Sequence, residues 1–175
     1  MQFTETFNGV LCVDEFGTIQ HFCTLDYQKT EIKRTYTWKF HRDLGVQAWM
    51  GHKTETCYFT VLHGAAVVKM ISINEVEKLN RDCEILAEQI EDERMDVEDY
   101  MDALEARYAK LDIASQVLTY EHPKIIKIPI GNYYGYSSLT RDTMVQILSD
   151  KTAEESIQDL YKLDWDVFGP EIWGL

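Results

Sequence analysis

The apolar residues of this chain change their period twice, and those two changes limit what it can fold into. Ile32, Arg34, Tyr36, Trp38 and Phe40 share one face of an extended segment, with Lys33, Thr35, Thr37 and Lys39 on the other. That period of two belongs to a half-buried strand. Residues 57–62 and 66–73 are rich in β-forming side chains and flank His63-Gly64, which predicts a hairpin. The rhythm then becomes helical. Val76, Leu79, Cys83, Leu86 and Ile90 recur at spacings of three and four, and Val97, Met101, Leu104, Tyr108 and Leu111 do so after the polar break Glu91-Asp92-Glu93-Arg94. Two amphipathic helices are predicted, with Asp96 as the N-cap of the second. Strand character returns over residues 116–120 and 124–131, where Pro129 and Gly131 mark a turn or strand edge, and two more strands are expected at 133–139 and 143–148. The aromatic tail, 162–173, is expected to pack on the body. About nine or ten short strands, interrupted once by a helical hairpin at 74–114, make a mostly β single domain over 1–175, with the strand number of a jelly roll.

Charge narrows the function classes. The formal net charge is −13, and residues 74–112 hold fourteen Asp/Glu against five Lys/Arg. Most of the acidity therefore lies on the predicted hairpin. A nucleic-acid partner is not expected, because phosphate backbones are gripped by Lys/Arg clusters that this chain lacks. No membrane-length apolar run and no secretory signal are recognised, so the expected location is cytoplasmic. Cys12, Cys23, Cys57 and Cys83 have no C-x-x-C spacing and are read as reduced thiols. The hairpin is expected to present a solvated acidic face; a partner-binding role is the alternative.

Three stretches carry a family resemblance. Ile32-Lys-Arg-Thr-Tyr36 is followed by Gln47-Ala-Trp-Met-Gly-His-Lys-Thr-Glu55. Tyr58-Phe-Thr-Val-Leu-His-Gly64 comes next, and then Ile128-Pro-Ile-Gly-Asn-Tyr-Tyr-Gly-Tyr136. In order and spacing these resemble the dTDP-4-dehydrorhamnose 3,5-epimerases and the related dTDP-sugar 3,4-ketoisomerases, which are cupins. The resemblance covers most of the chain outside the helical insert. It implies a cupin jelly-roll barrel carrying an inserted α-helical hairpin, a nucleotide-sugar ligand, a homodimer, and isomerase chemistry on a 4-keto-6-deoxysugar without a cofactor.

Departures from the family pattern bear on that chemistry. Met50 stands where the family has its catalytic histidine, Gln47 where it has an arginine, and Tyr134 where it has a second histidine. Read as a metal cupin, the ligand positions become Met50, His52, Cys57 and Tyr134, which is not a cage, so no metal is expected. Epimerisation beside a ketone needs a base, a donor for the enolate oxygen and an acid for the other face. His52 lies two residues after Met50 and shares its strand face, which makes it the candidate base or acid; Tyr134 is the second catalytic candidate, and it or Tyr136 is expected to act as an acid or to stack on a base. Arg34, Tyr36, Trp49, Lys53, Glu55 and Tyr136 are the candidate substrate-binding residues. Two other functions stay open at this point: a barrel that binds carbohydrate or nucleotide-sugar without catalysis, and a scaffold whose acidic hairpin binds a partner.

Overall fold

The structure is a computed structural model that describes residues 3, 5–14, 17–21, 30–41, 45–92 and 95–174. Its strands are β1 (Thr6–Asn8), β2 (Val10–Asp14), β3 (Gly17–His21), β4 (Arg34–Lys39), β5 (Val46–His52), β6 (Cys57–His63) and β7 (Ala65–Ser72). After helices α1 (Ile73–Glu91) and α2 (Val97–Tyr108) come β8 (Ala114–Thr119), β9 (Lys124–Ile128), β10 (Asn132–Ser138) and β11 (Met144–Ser149). A short helix α3 (Ala153–Gln158), β12 (Leu160–Lys162) and a 3-10 turn at Pro170–Trp173 complete the chain. Cys23, Glu93 and Arg94 lie outside the described residues.

Two five-stranded antiparallel sheets face each other, in the orders β1-β9-β6-β11-β4 and β12-β5-β10-β7-β8, and β2-β3 forms a separate ribbon. From β4 onward nearly every connection carries the chain from one sheet to the other. That alternation is the jelly-roll path. It makes the predicted alternation productive, because inward side chains of both sheets meet in one core. Phe59, Val68, Ile126, Val145 and Ile147 are fully buried there. The predicted turn at Gly64 holds φ +73, and a β-carbon there would strike Thr140 and Thr143.

The outer face of the second sheet is covered rather than solvated. α1 lays Val76 and Leu79 on it, and the tail adds Phe168 and Trp173, all packed with Ile71 and Trp49. This is the packing expected of the aromatic tail. Asp96 caps α2, accepting from the Asp99 amide at 2.9 Å. Sequence periodicity did not reveal α3, which begins with a reciprocal capping box between Thr152 and Glu155. Among the described residues, no helix is long and apolar enough to cross a membrane.

Two side chains depart from the expected pattern. Trp38 shares the inner face of β4 with Tyr36 yet is 40% exposed among the described residues, β4 being an edge strand of its sheet. Trp49 lies on the outer face. The β5–β10 register shifts between Tyr134 and Tyr136, so that Met50 stands opposite Tyr134 and Gln47 opposite Tyr136. Ala48 and Trp49 bulge outward between them, over Gly135.

Candidate functional site

Several elements bring polar side chains to one end of the barrel. β5 ends at His52, and the turn after it carries Glu55 to the start of β6 at Cys57. Arg34 opens β4 and Ser149 closes β11, and the ladder pairs Ser149 with Arg34 on one side and Cys57 on the other. Tyr134 reaches the same place from β10 in the opposite sheet.

Glu55 is the hub. Its Oε1 accepts from Arg34 Nη2 at 3.0 Å, from Ser149 Oγ at 2.7 Å and from Cys57 Sγ at 3.3 Å. Arg34 Nη2 also donates to Ser156 Oγ on α3, 3.1 Å away. The second oxygen, Oε2, faces His52 Nδ1 at 3.2 Å, and both residues are almost wholly buried. Oε2, His52 Nδ1 and Arg34 Nε make no hydrogen bond with the described residues. Three buried polar atoms without a hydrogen bond in one cluster depart from the rule that such groups are paired. The run continues across the barrel. Cys57 Sγ lies 3.8 Å from the Tyr134 hydroxyl, and the His52 and Tyr134 rings stack at 6.0 Å.

These surroundings push the titrating groups apart. Burial lowers the His52 pKa from 6.5, outweighing the raising effect of Glu55 and Asp159, so the imidazole is neutral at pH 7. Burial also opposes charge on Glu55. Hydrogen bonds from Ser149 and Ser156 outweigh it and hold the carboxyl below its usual range. Desolvation raises Tyr134 and Cys57 well above their ordinary values and pushes Tyr36 up to about 12. A neutral imidazole therefore sits beside protonated phenols, the separation that assigns base and acid roles in proton-transfer sites.

Of the residues singled out in the sequence, His52, Tyr134, Arg34, Tyr36 and Glu55 come together. The Arg34 guanidinium lies 4.9 Å from the Tyr36 ring centre. Tyr136 is on the same wall but deeper, edge-on to Phe40 at 5.8 Å and tilted against Phe59 at 5.5 Å. Lys53 points away, ion-paired with Glu77 of α1 at 3.2 Å and lying over the Tyr161 ring. Trp49 is on the far side of the sheet, against Phe168 and Trp173 at 5.3 and 5.0 Å, where it stabilises the tail and lines no part of this cluster. The more exposed rim of the inner wall is made by Tyr36, Trp38, Gln47 and Met50, with Gln47 Nε2 3.9 Å from Met50 Sδ.

Sequence reasoning missed Ser149, Ser156 and Asp159. Asp159 accepts from the Lys53 and Thr54 amides and from Thr54 Oγ1, which fixes the turn between His52 and Glu55. Its backbone also accepts from the His52 side chain. Ser149 has a sequence signal, because it continues the inward parity of Val145 and Ile147. Asp159 has none, since it depends on where α3 docks. Among the described residues no group of three or more His, Cys, Asp or Glu is arranged to hold a metal ion.

No family model and no curated protein sequence matches the chain. Solved structures do. A dTDP-sugar isomerase from Desulfovibrio desulfuricans superposes with a TM-score of 0.64 at 15% identity, covering 97% of this chain and 90% of that one. A dTDP-4-dehydrorhamnose 3,5-epimerase from Bacillus anthracis, solved with TDP and pyrophosphate bound, gives 0.63 at 13%, covering 95% and 82%. A 3,4-ketoisomerase mutant from Thermoanaerobacterium thermosaccharolyticum, in complex with TDP-4-keto-6-deoxyglucose, gives 0.58 at 10%, covering 94% and 89%. The fold is thus the cupin barrel of the group that the sequence motifs resemble. At these identities the likeness extends to the fold and no further.

Proposed function

We propose that this barrel binds a nucleotide-linked 4-keto-6-deoxysugar at its polar end and isomerises it by moving a proton next to the ketone. The observation that carries this reading is the run of close approaches His52–Glu55–Cys57–Tyr134 on the inner wall, with Tyr36 beside it under Arg34. His52 is the base: neutral, backed by the Glu55 carboxylate, and stabilised by it as positive charge develops. Tyr134 is the acid and enolate donor, with Tyr36 beside it to relay the proton. Arg34, half-buried and over Tyr36, is the cation nearest to an incoming nucleotide diphosphate. The half-exposed Tyr36, Trp38 and Gln47 supply the stacking and amide contacts that a nucleoside and sugar require. The fold supports this choice of ligand class, since neighbours of the same architecture were solved with TDP or a TDP-sugar. A homodimer remains part of the proposal, from the motif resemblance alone, and so does a cytoplasmic location, which the resemblance does not carry.

A second reading has its own observation. His52 is flanked by Glu55 on one side and the Asp159 backbone on the other, and Met50, which has no proton to exchange, stands opposite Tyr134. A barrel that binds the nucleotide-sugar without turning it over fits that arrangement. Proton NMR of TDP-4-keto-6-deoxyglucose incubated with the protein separates the two. New sugar resonances that scale with protein concentration mark isomerisation. Saturation-transfer signals from an unchanged sugar mark binding alone, and neither signal removes this ligand class.

A further inference from the structure

The apolar seam of α2 is largely uncovered. Val97, Met101, Leu104, Tyr108 and Leu111 follow at spacings of four, three, four and three, which is the a/d rhythm of paired helices. The matching seam of α1 is covered, with Val76, Leu79 and Leu86 buried. On α2, Val97 is 68% exposed, Met101 57% and Tyr108 38%, and no residue of the helix is buried. The half-buried residues of α2 are Tyr100, Ala103, Leu104 and Arg107, a stripe beside the seam that shares only Leu104 with it. Leu111, just past the helix, packs against the core, but Val97 and Met101 have no cover among the described residues.

The neighbouring charges indicate the occupant. In this register Glu98 and Glu105 take the flanking positions on the solvent side of the seam, with Asp102 between them. No ion pair among the described residues involves these three. On the other flank Arg107 is turned back onto the Ala103 carbonyl at 3.0 Å. The two helices together hold ten Asp/Glu against three Lys/Arg. A second copy would bring the same acids to the seam, and like charges at flanking positions disfavour pairing.

We propose that the α2 seam is a docking surface for a short amphipathic helix of another protein, with an apolar stripe bordered by Lys or Arg. The seam spans roughly 18 Å of helix, so the contact is small and reversible. Met101 at its centre suits such a contact, because its flexible thioether adapts to varied side chains.

The test uses the full chain and a fluorescent synthetic helix with leucine along one a/d stripe and lysine on both flanks. A peptide of the same composition, with its leucines spread around the helix, is the control. Fluorescence anisotropy should show binding of the first peptide at least about tenfold tighter than of the control. Met101→Asp and the double variant Glu98→Lys/Glu105→Lys should each weaken it by about tenfold. Both variants should keep the wild-type melting temperature, since their side chains are exposed. Equal binding of the two peptides, or unchanged binding by Met101→Asp, overturns the proposal. So does concentration-dependent self-association in sedimentation velocity that Met101→Asp abolishes, because a second copy would then be the occupant.

Discussion

His52 Nδ1 stands 3.2 Å from Glu55 Oε2, while the other oxygen of the same carboxylate holds Arg34 and Ser149. One side chain thus ties together β4, β11 and the end of β5, and also faces the candidate base. Support of the fold and proton chemistry meet at Glu55, which makes the two separable by choice of substitution.

Glu55→Ala should destabilise the protein by about 2–3 kcal/mol. Removing one partner of a buried ion pair typically costs about 3–5 kcal/mol, and the smaller figure applies because the Arg34 side chain retains 23% exposure. Glu55→Gln keeps the shape and an acceptor for Ser149 and should cost about half as much. Urea unfolding of the three proteins measures the order wild type, Gln, Ala.

Acid sensitivity follows from the two depressed pKa values. A group whose pKa is lower in the folded state releases protons on folding, so its stabilisation is complete above the unfolded value and fades as the pH falls. For His52 the loss begins below 6.5; for Glu55 it begins below 4.5. Melting temperature should therefore decline in two stages on acidification. His52→Gln should remove the upper stage and leave the lower one, as read by differential scanning fluorimetry across pH.

Met50→His should increase proton exchange on the keto-sugar. Position 50 pairs with Tyr134 in the β5–β10 ladder and is only partly buried, so an imidazole there stands beside the proposed acid on the same face of the sheet. A well-placed general base is worth about 10²–10⁴-fold, and a transplanted one should recover about tenfold. Mass spectrometry of the sugar after incubation in D2O reads the change.

Gly135→Ala should loosen the tail without touching the polar cluster. A β-carbon at Gly135 would collide with the Ala48 side chain and approach Trp173 to 2.8 Å. Overpacking of this kind costs about 1–3 kcal/mol. Red-shifted tryptophan fluorescence together with a lower melting temperature is the expected result.

Much of the barrel was legible because its strands are rich in β-forming residues and its helices carry a period of three and four. Residues 32–40 carry their inward set in plain alternation, residues 57–62 and 143–148 show strand composition, and Asp96 announces the second helix. The approach of His52, Tyr134, Arg34, Tyr36 and Glu55 could be anticipated from motif order together with parity. Trp49 shows the opposite case. Alternation with Met50 and His52 already assigns it to the other face, and motif resemblance alone drew it toward the site. The exposure of Trp38 depends on β4 being an edge strand, which is a property of strand order that no local pattern encodes. Asp159 and Ser156 entered the cluster through the docking of α3, a six-residue helix too short for its period to register. The uncovered seam of α2 was invisible for a related reason: sequence predicts an apolar stripe but not whether this chain supplies its cover.

The most direct test of the central claim is deuterium uptake by TDP-4-keto-6-deoxyglucose in D2O, compared between wild type and His52→Gln. Wild type should label the carbon beside the ketone well above the buffer rate, and His52→Gln should fall by about 10²-fold or more while remaining folded. Equal labelling by the two proteins would remove His52 as the base, and no labelling above buffer by wild type would contradict proton transfer on this substrate.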